Sequence, residues 1–402
     1  MHPRTRLSGL ALLALALLAW FIVRPSAAGP GDETPDPFIA ELLTYVDTDT
    51  LSGYVADLSG ERAVLIGGQP YTLATRYSYS EGIKKATQYL YEHYAALGLD
   101  VAYHEYLHDG YIWRNVEATL PGVVEPQRIY ILCAHADSLS RQPYIFAPGA
   151  DDNASGTAAV MLAADILSAY QFAYTIRFVN FSGEEQGLLG SAAYAARSRA
   201  QGEDIIGVIN LDMVGWDGAG GPDIDLHAGT DPASLALAQT FSQTVALYDL
   251  DLRPEVLDDE AIGASDHSSF WSNDYAAILA IEDYYPNGHD FNPYYHTGND
   301  LLRHFDLDYF TNFTQAVLAT LVTLARPMVS PTPTLMDTAT FTPTPTATSL
   351  ATPTATPTAT STPEPTYTPT PTAGPPYRFF IPYVSTAGWL VFTRRLPSGE
   401  AL

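Results

Sequence analysis

The chain has 402 residues, of which 47% are apolar and 12% aromatic, so it can build a sizeable core and is not wholly disordered. Asp and Glu number 45 against 19 Lys and Arg, and the formal net charge is -26. A surface of that sign repels phosphate backbones, which argues against nucleic acid as a partner. The single cysteine, Cys133, excludes an intramolecular disulfide and a zinc site made of cysteines.

Residues 1–28 have the pattern of a secretory signal peptide. Arg4 and Arg6 precede an uncharged apolar run over residues 7–23, and small residues follow it at 26–29. The apolar run is at the short end for a membrane span, so a retained N-terminal anchor stays open as the alternative. In either case we expect the protein to be exported, and to be secreted or held at the cell surface.

Apolar periodicity from residue 38 to residue 328 predicts strands that alternate with helices. This alternation predicts one α/β domain over residues 29–328, with a mixed, mostly parallel central sheet flanked by helices. The predicted strands are 101–106, 116–120, 128–134, 175–181, 205–211, 224–227 and 277–281. The predicted helices begin near residue 38 and continue with 80–97, 155–170, 190–199, 232–248 and 308–325.

The composition changes abruptly after the last predicted helix. Residues 329–376 are dominated by Pro and Thr, carry almost no charge, and cannot bury a core, so they are interpreted as a disordered linker or stalk. Residues 377–402 begin with an aromatic and apolar run that is too short and too interrupted by Pro382 to span a membrane comfortably. This tail is either a short apolar strand or a signal for attachment to the cell surface.

Side chains that can bind metal ions follow directly on several predicted strands. Because the carboxyl ends of parallel strands meet at one edge of a sheet, we expect these side chains to converge there. Two histidines and three carboxylates can hold two Zn²⁺ ions when one carboxylate bridges them. A further carboxylate must stay off the metals to move a proton. The candidates are His135, Asp137, Asp151, Asp152, Glu184, Glu185, Asp212 and His296.

The motifs that carry these residues resemble those of the M28 family of zinc aminopeptidases, which contains secreted bacterial leucyl aminopeptidases. One of these motifs alone would be weak, but six in the family's order are specific. The resemblance covers residues 38–328 and implies the zinc-exopeptidase fold. The motifs are His135-Ala-Asp137, Gly149-Ala-Asp151-Asp152-Asn-Ala-Ser-Gly156, Phe181-Ser-Gly-Glu184-Glu185-Gln-Gly-Leu-Leu-Gly-Ser191, Asn210-Leu-Asp212-Met213, Ser265-Asp266-His267 and Tyr295-His296-Thr297.

The resemblance implies two Zn²⁺ ions and assigns a ligand role to five residues. His135 and Asp212 are expected to hold one ion, and Glu185 and His296 the other. Asp151 is expected to bridge the two ions, and the peptide bond that follows it is often cis in the family.

The resemblance also implies three catalytic residues. Glu184 is expected to act as the general base, and Asp137 to orient the first histidine ligand. Tyr295 resembles a phenol that stabilises the oxyanion in some members. Other members place that tyrosine in a different loop, so Tyr284 and Tyr285 remain candidates.

We therefore expect a di-zinc aminopeptidase, and a monomer, that acts on peptides with a free N-terminus. Residues 261–270, together with Trp271, Tyr284, Tyr285 and Phe291, are expected to line an apolar pocket for leucine-like or aromatic N-terminal residues. A carboxypeptidase or dipeptidase stays open, whereas the complete ligand set disfavours a glutaminyl cyclase. The stalk and tail leave open a surface-displayed binding protein with a vestigial metal site.

Overall fold

The computed structural model describes residues 34–218, 221–283 and 290–328, which belong to one compact unit. The predictions for residues 1–28, 329–376 and 377–402, and for Tyr284 and Tyr285, lie outside these ranges. No helix among the described residues is long and apolar enough to cross a membrane.

Eight of the ten described strands form the central sheet, in the order β3-β4-β6-β5-β7-β10-β8-β9, while β1 and β2 form a separate antiparallel pair. Four of the seven neighbouring pairs in the large sheet are parallel, including β6-β5 and β5-β7 at its centre. The strands are β1 (Val64–Ile66), β2 (Gln69–Tyr71), β3 (Asp100–His108), β4 (Tyr111–Leu120), β5 (Glu125–His135), β6 (Tyr174–Phe181), β7 (Asp204–Leu211), β8 (Asp223–His227), β9 (Arg253–Leu257) and β10 (Ala277–Glu282).

Helices cover both faces of this sheet. Several begin at an aspartate or serine whose side chain accepts a hydrogen bond from a backbone N–H of the first turn; Ser80 at α3 and Asp231 at α6 are examples. The helices are α1 (Pro37–Leu43), α2 (Thr48–Leu58), α3 (Glu81–Ala96), α4 (Gly156–Leu167), α5 (Leu189–Gln201), α6 (Pro232–Leu247), α7 (His267–Trp271) and α8 (Leu307–Ala325).

The core lies in two layers because successive side chains of a strand point to opposite faces of the sheet. On β5, Leu132 and Ala134 pack into the larger layer, beneath α1 to α4, α6 and α8. Ile131 and Cys133 pack into the smaller layer, which includes residues of α5 and α7. This arrangement confirms the predicted α/β fold with a mixed sheet flanked by helices.

Candidate metal centre

Three neighbouring parallel strands bring three of the predicted metal ligands and the predicted base to one edge of the sheet. His135 is the last residue of β5, and Asp212 follows the last residue of β7. Glu184 and Glu185 lie in the loop that follows β6 at Phe181. Because β6, β5 and β7 are adjacent and parallel, these loops meet at their common carboxyl end.

The first cluster is centred on His135 and is largely buried. His135 Nε2 lies 3.2 Å from Asp212 Oδ1 and 3.3 Å from Asp152 Oδ1. Glu184 Oε2 is farther from the same nitrogen, at 4.0 Å. His135, Glu184 and Asp212 each offer an atom to a common centre that could hold a metal ion.

A second cluster, formed by Asp152, Glu185 and His296, lies beside the first. His296 Nε2 is 2.8 Å from Glu185 Oε2 and 3.1 Å from Asp152 Oδ2. Asp152 therefore contacts a histidine of each cluster, one with each carboxylate oxygen. This is the arrangement that a bridging carboxylate needs.

The structure contradicts the prediction that Asp151 bridges the metals. Its carboxylate points away from both histidines and accepts hydrogen bonds from the backbone N–H of Gly215 at 2.8 Å and from Asn292 Nδ2 at 2.9 Å. Burial raises the pKa of Asp151, and burial together with the Asp151 charge raises the pKa of the neighbouring Glu282. The cis peptide bond is also one position later than expected, between Asp152 and Asn153.

The segment that carries Asp152 is held by two features that the sequence did not reveal. Asp300 accepts the backbone N–H groups of Asp151 at 2.9 Å and of Asp152 at 3.0 Å, which fixes the direction of both side chains. Gly149 has a φ of 50°, and a Cβ at this position would lie 2.3 Å from the Asp152 carbonyl oxygen. Any side chain at residue 149 would therefore displace the Asp152 backbone.

Arg76 is fully buried beneath the metal centre and bonds to several of the segments that form it. Its guanidinium donates to the carbonyl oxygens of Ala136 at 2.8 Å and Gly149 at 2.8 Å, and to those of Leu58 and Pro148 at 2.6 Å each. Burial lowers the pKa of Arg76 to about 10, against the opposing charges of nearby carboxylates, so it remains a cation at neutral pH. No motif marked Arg76 in the sequence.

We expect Arg76→Met to destabilise the protein by about 3 kcal/mol or more, because four buried carbonyl groups lose the guanidinium as a donor. Arg76→Lys should recover only part of this loss, since an ammonium cannot reproduce the planar set of donors. Urea unfolding of the three proteins measures the difference. Equal stability of wild type and Arg76→Met would contradict the role.

Asp137 connects the two sides of the centre. Its backbone carbonyl oxygen is 3.2 Å from His135 Nδ1, and its Oδ1 is 3.5 Å from the same nitrogen. The backbone N–H of Glu184 donates to Asp137 Oδ1 at 3.3 Å, and Ser78 Oγ donates to Oδ2 at 2.9 Å. Asp137 is thus placed to orient both His135 and the start of the Glu184 loop.

Tyr295 lines the same cavity as the two clusters. Its ring stacks on His296 with a centroid distance of 3.7 Å and meets Phe291 edge to face at 5.0 Å. Tyr295 is 40% exposed.

The electrostatics of the centre favour a cation. Burial opposes the charged form of His296, but the Glu185 and Asp152 carboxylates outweigh it and raise the pKa of His296 to about 10. Burial raises the pKa of Glu185 to about 7, with the Asp152 charge as a further cause. Burial, followed by the Asp212 charge, also holds the pKa of Glu184 well above its ordinary value. Negative charge is therefore in excess, and metal ions relieve such an excess without protonation.

Unpartnered atoms test whether metal ions fit these residues. Asp152 Oδ2, Glu185 Oε1 and His296 Nε2 are buried without a hydrogen-bond partner, although the last lies close to both carboxylates. Oxygen and imidazole nitrogen ligands in groups of three suit Zn²⁺. The donor sets therefore fit a metal in each cluster, and the unsatisfied atoms belong to the second cluster.

An apolar wall completes the cavity beside the centre. Met213, Leu279 and Ile281 form a small buried cluster against which Phe291 packs. Ile262, Ala264 and Ser265 line the cavity from the 261–270 segment, as the sequence predicted. Ser265 Oγ also donates to Asp212 Oδ2 at 2.7 Å. Trp271 instead lines a separate cavity near Asp258 and Asp274, so its predicted place in this pocket is wrong.

Comparisons with known proteins find a family model and several relatives that match this chain. The sequence model of peptidase family M28 matches residues 115–321. A probable leucine aminopeptidase of Trichophyton verrucosum is 30% identical over 213 residues, 51% of this chain and 55% of the relative. Leucine aminopeptidase 1 of Trichophyton equinum is 26% identical over 311 residues, 72% of this chain and 80% of the relative. The chain thus spans about half the length of several curated relatives that it matches.

A solved structure is similar in fold. The crystal structure of the LapA aminopeptidase of Legionella pneumophila superposes with a TM-score of 0.59 at 21% identity, over 72% of this chain and 74% of that one. The family match covers 207 of the 402 residues and includes all six members of the two clusters. The chain belongs to peptidase family M28.

Proposed function

We propose that this protein is an exported di-zinc aminopeptidase that removes apolar N-terminal residues from peptides. The observation that carries the proposal is the position of Asp152, which contacts a histidine of each cluster through a different carboxylate oxygen. His135 and Asp212 would hold one ion, Glu185 and His296 the other, and Asp152 both. When bound, two such ions lower the pKa of a water molecule and polarise the peptide carbonyl group.

Glu184 is the residue best placed to move the proton. It reaches the cavity, and it lies farther from His135 Nε2 than Asp212 and Asp152 do, so it can stay off the metals. Its carboxylate would take a proton from the attacking water and pass it to the leaving amine. Asp137 accepts the backbone N–H of Glu184, and the hydroxyl of Tyr295, which lines the cavity, is a candidate donor to the oxyanion.

The side chains that line the cavity favour a substrate with a free amino terminus over one whose free carboxylate would need a cationic partner. Among the described residues, the cavity lining includes the carboxylates of Asp152, Glu184, Glu185 and Asp212 but no lysine or arginine. The nearby cation, Arg76, is fully buried and bonded to carbonyl oxygens, so it cannot pair with a substrate carboxylate. This favours an aminopeptidase over a carboxypeptidase.

The apolar wall indicates which residue is removed. Met213, Leu279, Ile281 and Phe291 offer hydrocarbon and aromatic surface to the side chain of the first residue. An acidic side chain there would also face the carboxylates of the centre. We therefore expect leucine-like residues to be removed faster than Asp or Glu.

The proposal of export is supported by the N-terminal sequence. Basic residues, an apolar run and small residues follow one another over residues 1–28 as in a secretory signal. The Pro/Thr-rich segment 329–376 supports the further proposal that the domain is displayed at the surface on a stalk.

Hydrolysis of leucine anilide by the zinc-loaded full chain tests the activity, with N-acetylleucine anilide as the control. We expect turnover of the free amine alone, because only this substrate carries the free amino terminus that an aminopeptidase requires. Turnover of both anilides would indicate a broader amidase. If neither anilide is cleaved, an assay on a peptide mixture distinguishes the remaining hypotheses. Release of C-terminal residues would indicate a carboxypeptidase, and bound zinc without any turnover would indicate a binding protein.

A further inference from the structure

A band of aromatic side chains lies on the surface beside the metal centre. We call it the tyrosine band, and it consists of Tyr77, Tyr79, Tyr111, Trp113 and Tyr144. Tyr111 is 61% exposed and Tyr144 54%, while Trp113 is buried at the base of the band. Exposed aromatic side chains in one continuous group commonly mark a binding surface.

Ring contacts make the band continuous. Tyr79 meets Trp113 edge to face at 4.8 Å and Tyr111 at 6.1 Å, measured between ring centroids. Tyr77 lies 5.7 Å from Tyr79 and 5.0 Å from Tyr144. The members come from three separate segments of the chain, so the fold itself assembles this surface.

The band meets the metal centre on the side of the proposed base. A Cβ placed on Gly183, the residue before Glu184, would lie 2.7 Å from the Trp113 ring, so the ring packs directly against this backbone. Ser78, between Tyr77 and Tyr79, accepts the N–H of Gly183 at 2.9 Å. The surface thus continues from the band to the loop that presents Glu184.

The pocket for the first substrate residue lies elsewhere around the centre. Met213, Leu279, Ile281 and Phe291 form its wall, and the described residues that line this cavity include no member of the band. Glu184 would deliver its proton to the leaving amine, so the departing part of the peptide lies on the Glu184 side. The band extends from that side across the surface.

We propose that the tyrosine band binds the part of the peptide that follows the cleaved bond, and that it selects peptides with aromatic or apolar residues at positions two to four. Aromatic rings stack favourably on such side chains, and phenol hydroxyl groups can bond to an extended backbone. This inference rests on the proposed function, because it uses Glu184 to give the direction of the substrate.

The double variant Tyr111→Ser/Tyr144→Ser tests the band at its two most exposed tyrosines. The matched control is Ile112→Ser/Leu65→Ser. Ile112 is 67% exposed and points to the opposite face of β4 from Tyr111, and Leu65, at 66%, lies in the separate β1-β2 pair. Each protein is assayed on leucine amide, on Leu-Gly-Gly-Gly-Gly and on Leu-Phe-Phe-Ala-Ala.

We expect the band variant to lose about tenfold in kcat/KM on Leu-Phe-Phe-Ala-Ala, mainly through KM, since apolar contact area is lost. Its rates on leucine amide and on the glycine peptide should stay within about twofold of wild type, as should all rates of the control variant. Equal losses on all three substrates would overturn the proposal. A higher rate of the band variant would also overturn it, because that result would mean that residues 377–392 of the chain itself occupy the band. A change in the oligomeric state of the band variant, measured by sedimentation, would overturn it too.

Failure of the proposed function gives a different result. In that case wild type does not cleave leucine amide, and calorimetric titration with Leu-Phe-Phe-Ala-Ala still tests the band. Weaker binding to the band variant than to the control variant would support the proposal, and equal binding would overturn it.

Discussion

Replacing Glu184 with Gln is expected to lower kcat on leucine anilide by about 10²- to 10⁴-fold, the usual contribution of a general base. The amide cannot accept the proton of the attacking water, although it has nearly the same size and can keep the same place in the cavity. Metal content should stay unchanged, because Glu184 is farther from His135 Nε2 than Asp212 is. Steady-state kinetics and atomic absorption on the same preparation measure both effects.

Glu185→Gln is the matched control, because it makes the same change one residue later. Glu185 Oε2 lies 2.8 Å from His296 Nε2, so this variant should lose metal from the second cluster as well as activity. A Glu184→Gln variant with normal kcat would show that another group moves the proton. A variant that loses metal would show that Glu184 is a ligand rather than the base.

The central part of the fold could be predicted because its strands are buried on both faces. β5, β6 and β7 are nearly continuous apolar runs, and the helices between them have clear periodicity. α2 was missed, since its buried residues Leu51, Val55 and Leu58 are few and stand among polar ones. β9 was missed because it is a short edge strand that contains Pro254.

The position of a site residue could be predicted from the sequence where that residue lies at the end of a predicted strand. His135 and Asp212 could be placed because each stands at the end of a buried strand. Arg76 could not, because a single arginine without a motif looks like a surface residue until the fold buries it. The choice between Asp151 and Asp152 depends on the backbone of the loop, which neither spacing nor composition determines.

The position of Asp152 between the two clusters predicts a second large effect, on zinc affinity. Asp152→Asn is expected to weaken both metal sites together, by more than the ~10–100-fold typical of losing a residue outside the ligand shell. Asp152 lies 3.3 Å from His135 Nε2 and 3.1 Å from His296 Nε2, each measured from a different carboxylate oxygen. Burial raises the pKa of Asp152, but the two histidines outweigh it and hold the pKa below its ordinary value, so Asp152 is a carboxylate at neutral pH. An amide offers one oxygen and no charge. Chelator competition followed by calorimetry measures the zinc affinity of both sites.

The variant Asp151→Asn tests whether Asp152, as in the structure, or Asp151, as the sequence predicts, bridges the two metal ions. The Asp151 carboxylate accepts from Gly215 and Asn292 and stays away from both histidines, so the variant should still bind two zinc ions. An amide oxygen can keep one of these hydrogen bonds, which limits the loss of stability. Loss of both ions in Asp151→Asn, with both retained in Asp152→Asn, would restore Asp151 as the bridge. Loss of a single ion in Asp152→Asn would mean that no carboxylate of this loop is shared.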